Sequence, residues 1–375
     1  MRVARLGWAV GTLWAAVSAG CGSGKPGGAG AMGAAGAAGG AAGAPGGNAG
    51  AAGAAGSAGA SAGGPGSGGA STGVAGGAGG ASPSGLPEGD TGLAAKHPGD
   101  VGIAMDPDVI YADDFESYAK DADLNQKWSA VYQNQDVHIT TVADHVYLGK
   151  QALEFILPQE TAELSDGTDM VLKDEQDVLF LRYYSKFRSP FDVVGSSHNG
   201  ASISAHYFMG NQATPGVPAD GTNKFLVNLE NWRGDATTPS PGQLNVYVYY
   251  PGQRSNYGDH FFPTGLVDPN TSIPHDFGPT FVSRPDVIPA LDRWYCYEYM
   301  VKANTPGMSD GRIAIWLDGK LVADFPNVVF RDVATLKIDR FGLSFHIKSN
   351  PNGEAAKWYD DVVAARSYIG PVKPP

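Results

Sequence analysis

Cysteine is nearly absent from this chain, and basic residues are scarce. The 375 residues contain two cysteines, Cys21 and Cys296, so modification of the first leaves no disulfide within the chain. Cys296 lies in the aromatic run 294–297, which indicates a buried structural thiol. The formal net charge is −12. An acidic protein of this kind is a poor candidate for binding nucleic acid.

Long apolar runs are also missing. The one apolar stretch, Leu6 to Ala19, follows Arg2 and Arg5 and ends in small residues. It is too short to span a membrane, so the pattern predicts a secretory signal peptide over residues 1–20. No later run is long enough to cross a bilayer, and we expect membrane contact only through a lipid anchor.

The residues around the first cysteine suggest how such an anchor is attached. The stretch 17–21 resembles the lipobox of bacterial lipoproteins, although Ser18 stands where that family usually has leucine. The resemblance implies that Cys21 is lipidated and becomes the new N-terminus. Gly22 resembles the pattern that sorts lipoproteins to the outer membrane. We therefore expect a cell-envelope protein exposed at the surface, or a secreted one if Cys21 is not lipidated.

The next segment lacks any run of large apolar side chains. Residues 21–90 consist almost entirely of glycine, alanine and serine, so nothing offsets the entropy of ordering the backbone. Glycine keeps no strict three-residue period, which argues against collagen. The composition predicts a disordered tether, followed by one globular domain over residues 100–375.

Sustained helical periodicity is missing from that domain. Short runs rich in β-branched and aromatic residues alternate instead with clusters of glycine, proline, asparagine and aspartate. The pattern predicts an all-β fold, an antiparallel two-sheet sandwich or jelly roll. Loops 210–222, 232–242 and 251–290 are long enough to form the walls of a groove. The predicted strands are 178–187, 201–209, 224–231, 243–250, 294–302, 312–317, 340–347 and 357–365.

Alternate side chains of four of these strands are polar, aromatic or basic while their neighbours are apolar. Successive side chains of a strand face opposite sides, so these residues can line one face. A solvated outer face is the alternative, since antiparallel sheets normally have one. Tyrosine rings stack on sugars and amides bond hydroxyls, which favours a concave polysaccharide-binding face. Its predicted members are Arg182, Tyr184, Lys186, Lys224, Asn228, Glu230, Asn245, Tyr247, Tyr249, Arg340 and His346.

Several motifs together resemble a known group of proteins. They are Asp113–Glu116, His198–Ile203, Trp294–Glu298, Asp310–Gly319 and Trp358–Val363. They are similar to the cellulose-induced-protein and glucuronan-lyase-like group of concanavalin-like jelly-roll polysaccharide lyases, over about residues 108–370. The resemblance implies a jelly roll, a groove that accepts a polysaccharide, and a structural calcium ion.

The predicted calcium site joins the two ends of the domain. Glu116 and Asp360 resemble the acidic pair that this group places on calcium, and Asp361 is the second choice. Calcium prefers several hard oxygen ligands. The first and last strands of a sandwich are often neighbours, so the long sequence separation is no obstacle.

Elimination across a uronic acid requires three chemical functions: neutralisation of the carboxylate, removal of the C5 proton and protonation of the leaving oxygen. Arg182 or Asn228 can neutralise the carboxylate of the uronic acid. The base can be a histidine, and Tyr247 or Tyr249 can act as acid or base. A polyuronate also needs a locally basic groove, which Arg182, Lys186, Lys224 and Arg340 can form. The histidine candidates are His198, His206 and His346, and among these His198 is predicted to be catalytic.

The sequence leaves competing functions open. A monomeric polysaccharide lyase is the leading hypothesis, and a non-catalytic carbohydrate-binding lipoprotein is the alternative. A purely adhesive sandwich is a third possibility. A glycoside hydrolase needs two carboxyl groups across the scissile bond, for which Glu230 and Glu298 are the candidates.

Overall fold

The structure is a computed structural model that describes residues 84–132, 135–195, 197–209, 212–268, 276–347, 350 and 352–374. The predicted signal peptide, Cys21 and most of the predicted tether lie outside these residues. No helix in the described part of the chain is long and apolar enough to cross a membrane.

The described chain is built almost entirely from β-strands. The only α-helix, among the described residues, is the short α1, Leu124–Lys127, and five 3₁₀ turns cover Leu93–Lys96, Pro98–Asp100, Ile103–Met105, Asp121–Asp123 and Ala143–His145. The strands are β1 Val109–Asp113, β2 Ala130–Tyr132, β3 Val137–Thr140, β4 Ala152–Leu157, β5 Leu164–Gln176, β6 Val178–Phe187, β7 Ser197–His198, β8 Ala201–Ala205, β9 Phe208–Met209, β10 Gln212–Ala213, β11 Phe225–Trp232, β12 Gln243–Tyr249, β13 Asp259–Phe261, β14 Val267–Asp268, β15 Tyr295–Lys302, β16 Gly311–Leu317, β17 Lys320–Val328, β18 Ile338–Ile347 and β19 Ala355–Ala365.

These strands form two large antiparallel sheets. The first sheet has the order β17-β16-β15-β6-β19-β4-β3, with β1 paired to β19. The second has the order β14-β13-β12-β11-β8-β18-β5-β2, with β7 paired to β18, while β9 and β10 form a separate small hairpin. This arrangement confirms the predicted all-β, antiparallel two-sheet jelly-roll sandwich.

The core lies between the two sheets. Side chains such as Leu181 and Tyr299 of the first sheet pack against Leu229, Val246 and Phe341 of the second, all of them fully or almost fully buried. Burial of each large apolar side chain stabilises the fold by about 1.5–3 kcal/mol. The alternate residues of the same strands therefore point away from the core, as the sequence pattern predicted.

The outer face of the first sheet is covered by the two ends of the domain. Leu93 and Ala94 donate backbone hydrogen bonds to the carbonyls of Tyr368 and Ile369. Both carboxylate oxygens of the buried Glu298 accept backbone N–H groups from the same C-terminal segment, at 2.7 and 2.8 Å. The packed region therefore starts before residue 100, the predicted domain boundary.

Candidate functional site

The outer face of the second sheet carries an open groove. One row of paired residues crosses the sheet from Asp169 through Gly342, Ser202, Asn228 and Tyr247 to His260. About 1180 Å³ of empty space, partly open to solvent, lies within the groove. Tyr132 and Trp232 also line it, and its walls include residues from the predicted wall loops: Ala213, Pro215 and Tyr257.

Most of the residues predicted from sequence to line one face do lie on this sheet. Asn228, Tyr247, Tyr249, His198 and His346 line the groove itself. Glu230 and Asn245 are fully buried at its floor, and they are cross-strand partners on β11 and β12. Arg340 lies on the same outer face, where its guanidinium bonds Asp169 at 3.1 Å and lies 4.3 Å from the Phe208 ring.

Three predicted groove residues are on the wrong sheet, and for them the prediction is wrong. Arg182, Tyr184 and Lys186 belong to β6 in the first sheet, and all three are buried. Tyr184 stacks on Tyr147, with ring centroids 3.7 Å apart. The Lys186 ammonium contacts Asp144 and lies 4.9 Å from the Trp358 ring.

Lys224 immediately precedes β11 but does not face the groove. Its side chain is buried beneath Tyr207 and Tyr249, with the ammonium 4.7 and 4.8 Å from their ring centroids. The ammonium donates to the Thr214 hydroxyl at 2.7 Å. Burial lowers the pKa of Lys224 to about 8 because it disfavours the charged form.

A buried carboxylate organises two histidines of the groove. Glu230 is fully buried, and its two oxygens lie 2.7 Å from Nδ1 of His198 and 3.3 Å from Nδ1 of His260. His260 Nδ1 also lies 2.9 Å from Oδ1 of Asn245. Since these neighbours are acceptors, the proton of each neutral imidazole belongs on Nδ1 and the lone pair on Nε2. Burial raises the pKa of Glu230, but the contacts with His198 and His260 outweigh burial and lower it, so the carboxylate stays ionised.

Of the three predicted histidine candidates, His198 has the environment of a base. Its side chain is 27% exposed, and its ring lies 4.9 Å from that of Tyr247. His346 stacks beside it at 5.4 Å, where burial and the neighbouring His198 lower its pKa to about 3. His206 lies away from the groove and pairs with Glu175 at 3.1 Å.

Tyr247 has the environment of an acid. Its hydroxyl accepts the Gly258 N–H at 3.0 Å, and its pKa is raised by burial and by the neighbouring Tyr249. The Tyr249 hydroxyl likewise accepts the Gly216 N–H at 3.3 Å, and burial raises its pKa. Both phenols therefore keep their protons at neutral pH. Tyr249 is almost fully buried, which leaves Tyr247 as the better placed proton donor.

Asn228 lines the groove with its side-chain amide. It is the cross-strand partner of Tyr247, and its Oδ1 is buried without a hydrogen-bond partner. No hydrogen bond of its Nδ2 is found within the described residues. A ligand carbonyl can accept from Nδ2 and a ligand hydroxyl can donate to Oδ1.

The segment that carries His198 is held from both sides. The Asn199 side chain bridges to the Asn231 backbone, accepting its N–H at 2.9 Å and donating to its carbonyl at 2.7 Å. From the first sheet, the buried Lys357 donates to the Asn199 carbonyl. The Tyr359 hydroxyl lies between the carbonyls of Gly200 and Ser344, at 3.0 and 2.8 Å, and can donate to either. A Cβ at Gly200 would collide with the Leu229 carbonyl, so only glycine fits there.

Among the groove residues that the sequence analysis missed, Trp232 and His260 each had a signal in the sequence. Trp232 follows Asn228 and Glu230 at period two, so alternation alone places it on their face. Its ring stacks on His260 with centroids 4.7 Å apart. His260 alternates with the buried Phe261 in β13, a strand of three residues that lies within a segment predicted to be a loop.

Comparisons with known proteins give structural likeness only. No family model and no curated protein matches the chain. Among solved structures, the alginate lyase Aly36B is similar with a TM-score of 0.49 and 16% identity, over 69% of this chain and 98% of that one. An endo-β-1,4-glucuronan lyase from the fungus Trichoderma reesei gives 0.42 and 16%, over 69% and 96%. The cellulose-induced protein Cip1 gives 0.40 and 13%, over 70% and 99%.

The predicted calcium pair meets at a single loop. β1 pairs with β19, as expected for the ends of a sandwich, and this brings Glu116 and Asp360 to residues 147–151. Glu116 accepts the N–H groups of Lys150 and Gln151 at 2.6 and 2.8 Å. Asp360 accepts those of 147 and 148 at 2.9 and 3.1 Å. Backbone donors thus already engage both predicted ligands.

The neighbouring Asp361 suits a cation better. It is 5% exposed, its Oδ2 has no hydrogen-bond partner, and it lines a cavity with Asp100, Asp114 and Glu116. Burial raises its pKa to about 7, and these three carboxylates contribute to the rise. No group of three or more close His, Cys, Asp or Glu side chains is present among the described residues. Asp361 is therefore the carboxylate of this cavity with a buried oxygen that has no partner, and calcium prefers such hard oxygen ligands.

Proposed function

We propose that this protein cleaves a uronate-containing polysaccharide by β-elimination in the groove of the second sheet. The observation that supports this most strongly is the arrangement of His198, whose Nδ1 is held by the buried Glu230 and whose ring lies 4.9 Å from Tyr247. Asn228, which faces Tyr247 across the strands, completes the three functions that elimination requires. The predicted neutralising role of Arg182 is withdrawn, because Arg182 lies in the first sheet.

Each residue has one task in this reaction. The Asn228 amide donates a hydrogen bond to the uronate carboxyl group, which stabilises the charge that develops when C5 loses its proton. His198 Nε2 takes that proton, and the electron pair of the C5–H bond forms the C4–C5 double bond. The C4–O bond breaks, and the departing oxygen receives the hydroxyl proton of Tyr247. Solvent then returns both side chains to their starting states.

The hydrolase alternative has no support in the geometry. Glu230 and Glu298 lie on different sheets, and Glu298 is engaged by backbone N–H groups of the C-terminal segment. The pair therefore cannot flank one glycosidic bond, as hydrolysis requires.

Incubation with alginate, glucuronan and pectin tests the proposal. We expect ultraviolet absorbance from unsaturated chain ends to grow with at least one of them. Reducing ends that appear without this absorbance would indicate hydrolysis and contradict elimination. Binding without either product would instead support a non-catalytic carbohydrate-binding protein.

We also propose that a structural calcium ion occupies the cavity beside Asp361, with Asp361 and Glu116 as ligands. When bound, the ion would join the loop 147–151 to the first and last strands. Addition of calcium to chelator-treated protein is expected to raise Tm by several degrees, and Asp361→Asn to lose most of that rise. The exposed Asp235→Asn serves as control, because its carboxylate caps a local turn remote in sequence from the cavity. An equal calcium shift in Asp361→Asn would contradict this assignment.

A further inference from the structure

The charge of the groove is the feature that its proposed chemistry does not yet explain. None of the described residues that line it is lysine or arginine, whereas Glu163, Asp166 and Asp169 are among them. Asp169 is paired with Arg340 at 3.1 Å. Glu230 behind the groove is paired with His198 and His260. Among the described residues, the lining therefore holds no lysine or arginine that faces the ligand, and its acidic side chains make it neutral to negative.

The basic residues predicted to create a positive groove are engaged elsewhere. Arg182 and Lys186 belong to the first sheet, Lys224 is buried beneath two tyrosines, and Arg340 is bound to Asp169. The whole chain has a net charge of −12. A glycan with a free carboxylate on every sugar would meet an overall repulsive field with no local compensation.

The polar atoms that await a ligand favour an uncharged chain. Oδ1 of Asn228 is a buried acceptor without a partner, and the sugar hydroxyls that acid and ester chains both carry can donate to it. Its amide nitrogen is a single neutral donor, and this is adequate for an ester carbonyl. The remaining contacts are supplied by Tyr132, Trp232 and Tyr257, whose rings can stack on sugar faces.

We propose that the substrate is a polysaccharide whose uronic acid carboxyl groups are esterified, so that the chain enters the groove without charge. This inference rests on the proposed β-elimination and specifies its substrate. An ester needs no cation to neutralise it before C5 loses a proton, because its carbonyl already withdraws electrons from C5. The bonds formed and broken are those of the elimination above, and the ester itself is retained in the product.

A matched pair of substrates separates the two proposals. Highly methyl-esterified pectin and the same sample after de-esterification would be compared for initial rate of unsaturated ends and for binding by calorimetry. Alginate and its propylene glycol ester provide a second backbone. We expect the esterified form to be cleaved or bound at least about tenfold better at low salt. Added salt should improve use of the acid form, because screening weakens repulsion.

The outcomes distinguish failure of the substrate class from failure of the chemistry. Equal or faster cleavage of the acid forms at low salt would overturn the ester proposal while leaving elimination in place. Preferential binding of esters without cleavage would support the charge argument and contradict elimination. Absence of binding to both forms of both backbones would overturn both proposals.

A variant tests the charge argument within the groove. Ser202 lies on the groove face opposite Asn228, and it is partly exposed. Ser202→Lys should shift the ratio of ester to acid rates toward the acid form by about tenfold. Ser202→Met has a similar length without the charge, so it should leave the ratio unchanged. An unchanged ratio in Ser202→Lys would count against the proposal.

Discussion

Replacement of His198 by alanine is expected to lower turnover by about 10²- to 10⁴-fold, the usual contribution of a positioned general base. Stability should also fall, because Glu230 is fully buried and loses the contact with His198 at 2.7 Å, so turnover is compared per folded molecule. Turnover on a responsive uronate substrate and Tm would be measured on the same preparations.

The matched control is His206→Ala. His206 directly follows β8 of the second sheet, and its side chain is 41% exposed and paired with the surface carboxylate of Glu175. In His206→Ala, turnover and Tm should therefore both stay near those of the parent protein. Tyr247→Phe provides an independent test, since it removes the proposed proton donor and keeps the ring. Normal turnover in His198→Ala would refute the assignment of the base, whatever the substrate.

Alternation along single strands was the most informative signal in the sequence. It predicted the outward direction of Asn228 in β11, Tyr247 in β12 and His346 in β18, because the side-chain period of a strand is fixed by its backbone. These strands are close neighbours in the second sheet, and so their outward residues meet in one groove. Strand boundaries were also predicted closely where β-branched and aromatic residues are dense, as in β6, Val178–Phe187.

Alternation cannot say which sheet a strand joins or what covers it. Arg182 has the same pattern as Asn228, but its strand lies between β15 and β19 in the first sheet. The outer face of that sheet is covered by residues from both ends of the domain and by the segment of Asp144 and Tyr147, all far away in sequence. Such long-range cover leaves no local trace in the residues that it buries, which explains why Arg182, Tyr184 and Lys186 were misplaced.

Other features were hidden because their composition is atypical. β5, Leu164–Gln176, is the longest of the described strands, yet it contains four acidic residues and little β-branched character. It forms a strand because β18 and β2 hydrogen-bond it on both sides. The burial of Lys357 was equally hard to predict. Its ammonium lies among aromatic rings of the core, whereas lysine side chains are usually exposed. The hydrogen bond that its ammonium donates to the Asn199 carbonyl stabilises the buried side chain.

Arg182 is expected to be essential for stability, not for chemistry. Its fully buried guanidinium bonds Asp100, the Asp361 carbonyl at 3.0 Å and the Gly370 carbonyl at 3.3 Å. It thereby joins both ends of the domain to the last strand. Arg182→Met should lower the free energy of unfolding by about 3–5 kcal/mol, because it leaves Asp100 without its counter-charge. Denaturant unfolding measures this loss.

A second arginine–aspartate pair provides the control for this prediction. Arg293 and Asp318 are 2.9 Å apart with side chains 60% and 42% exposed, so Arg293→Met should cost at most about 1 kcal/mol. Addition of Asp100→Asn to Arg182→Met should recover part of the loss, since no buried charge is then left alone. Turnover per folded molecule should match the parent in Arg182→Met. A large fall in turnover at unchanged stability would contradict this structural role and indicate that Arg182 takes part in catalysis.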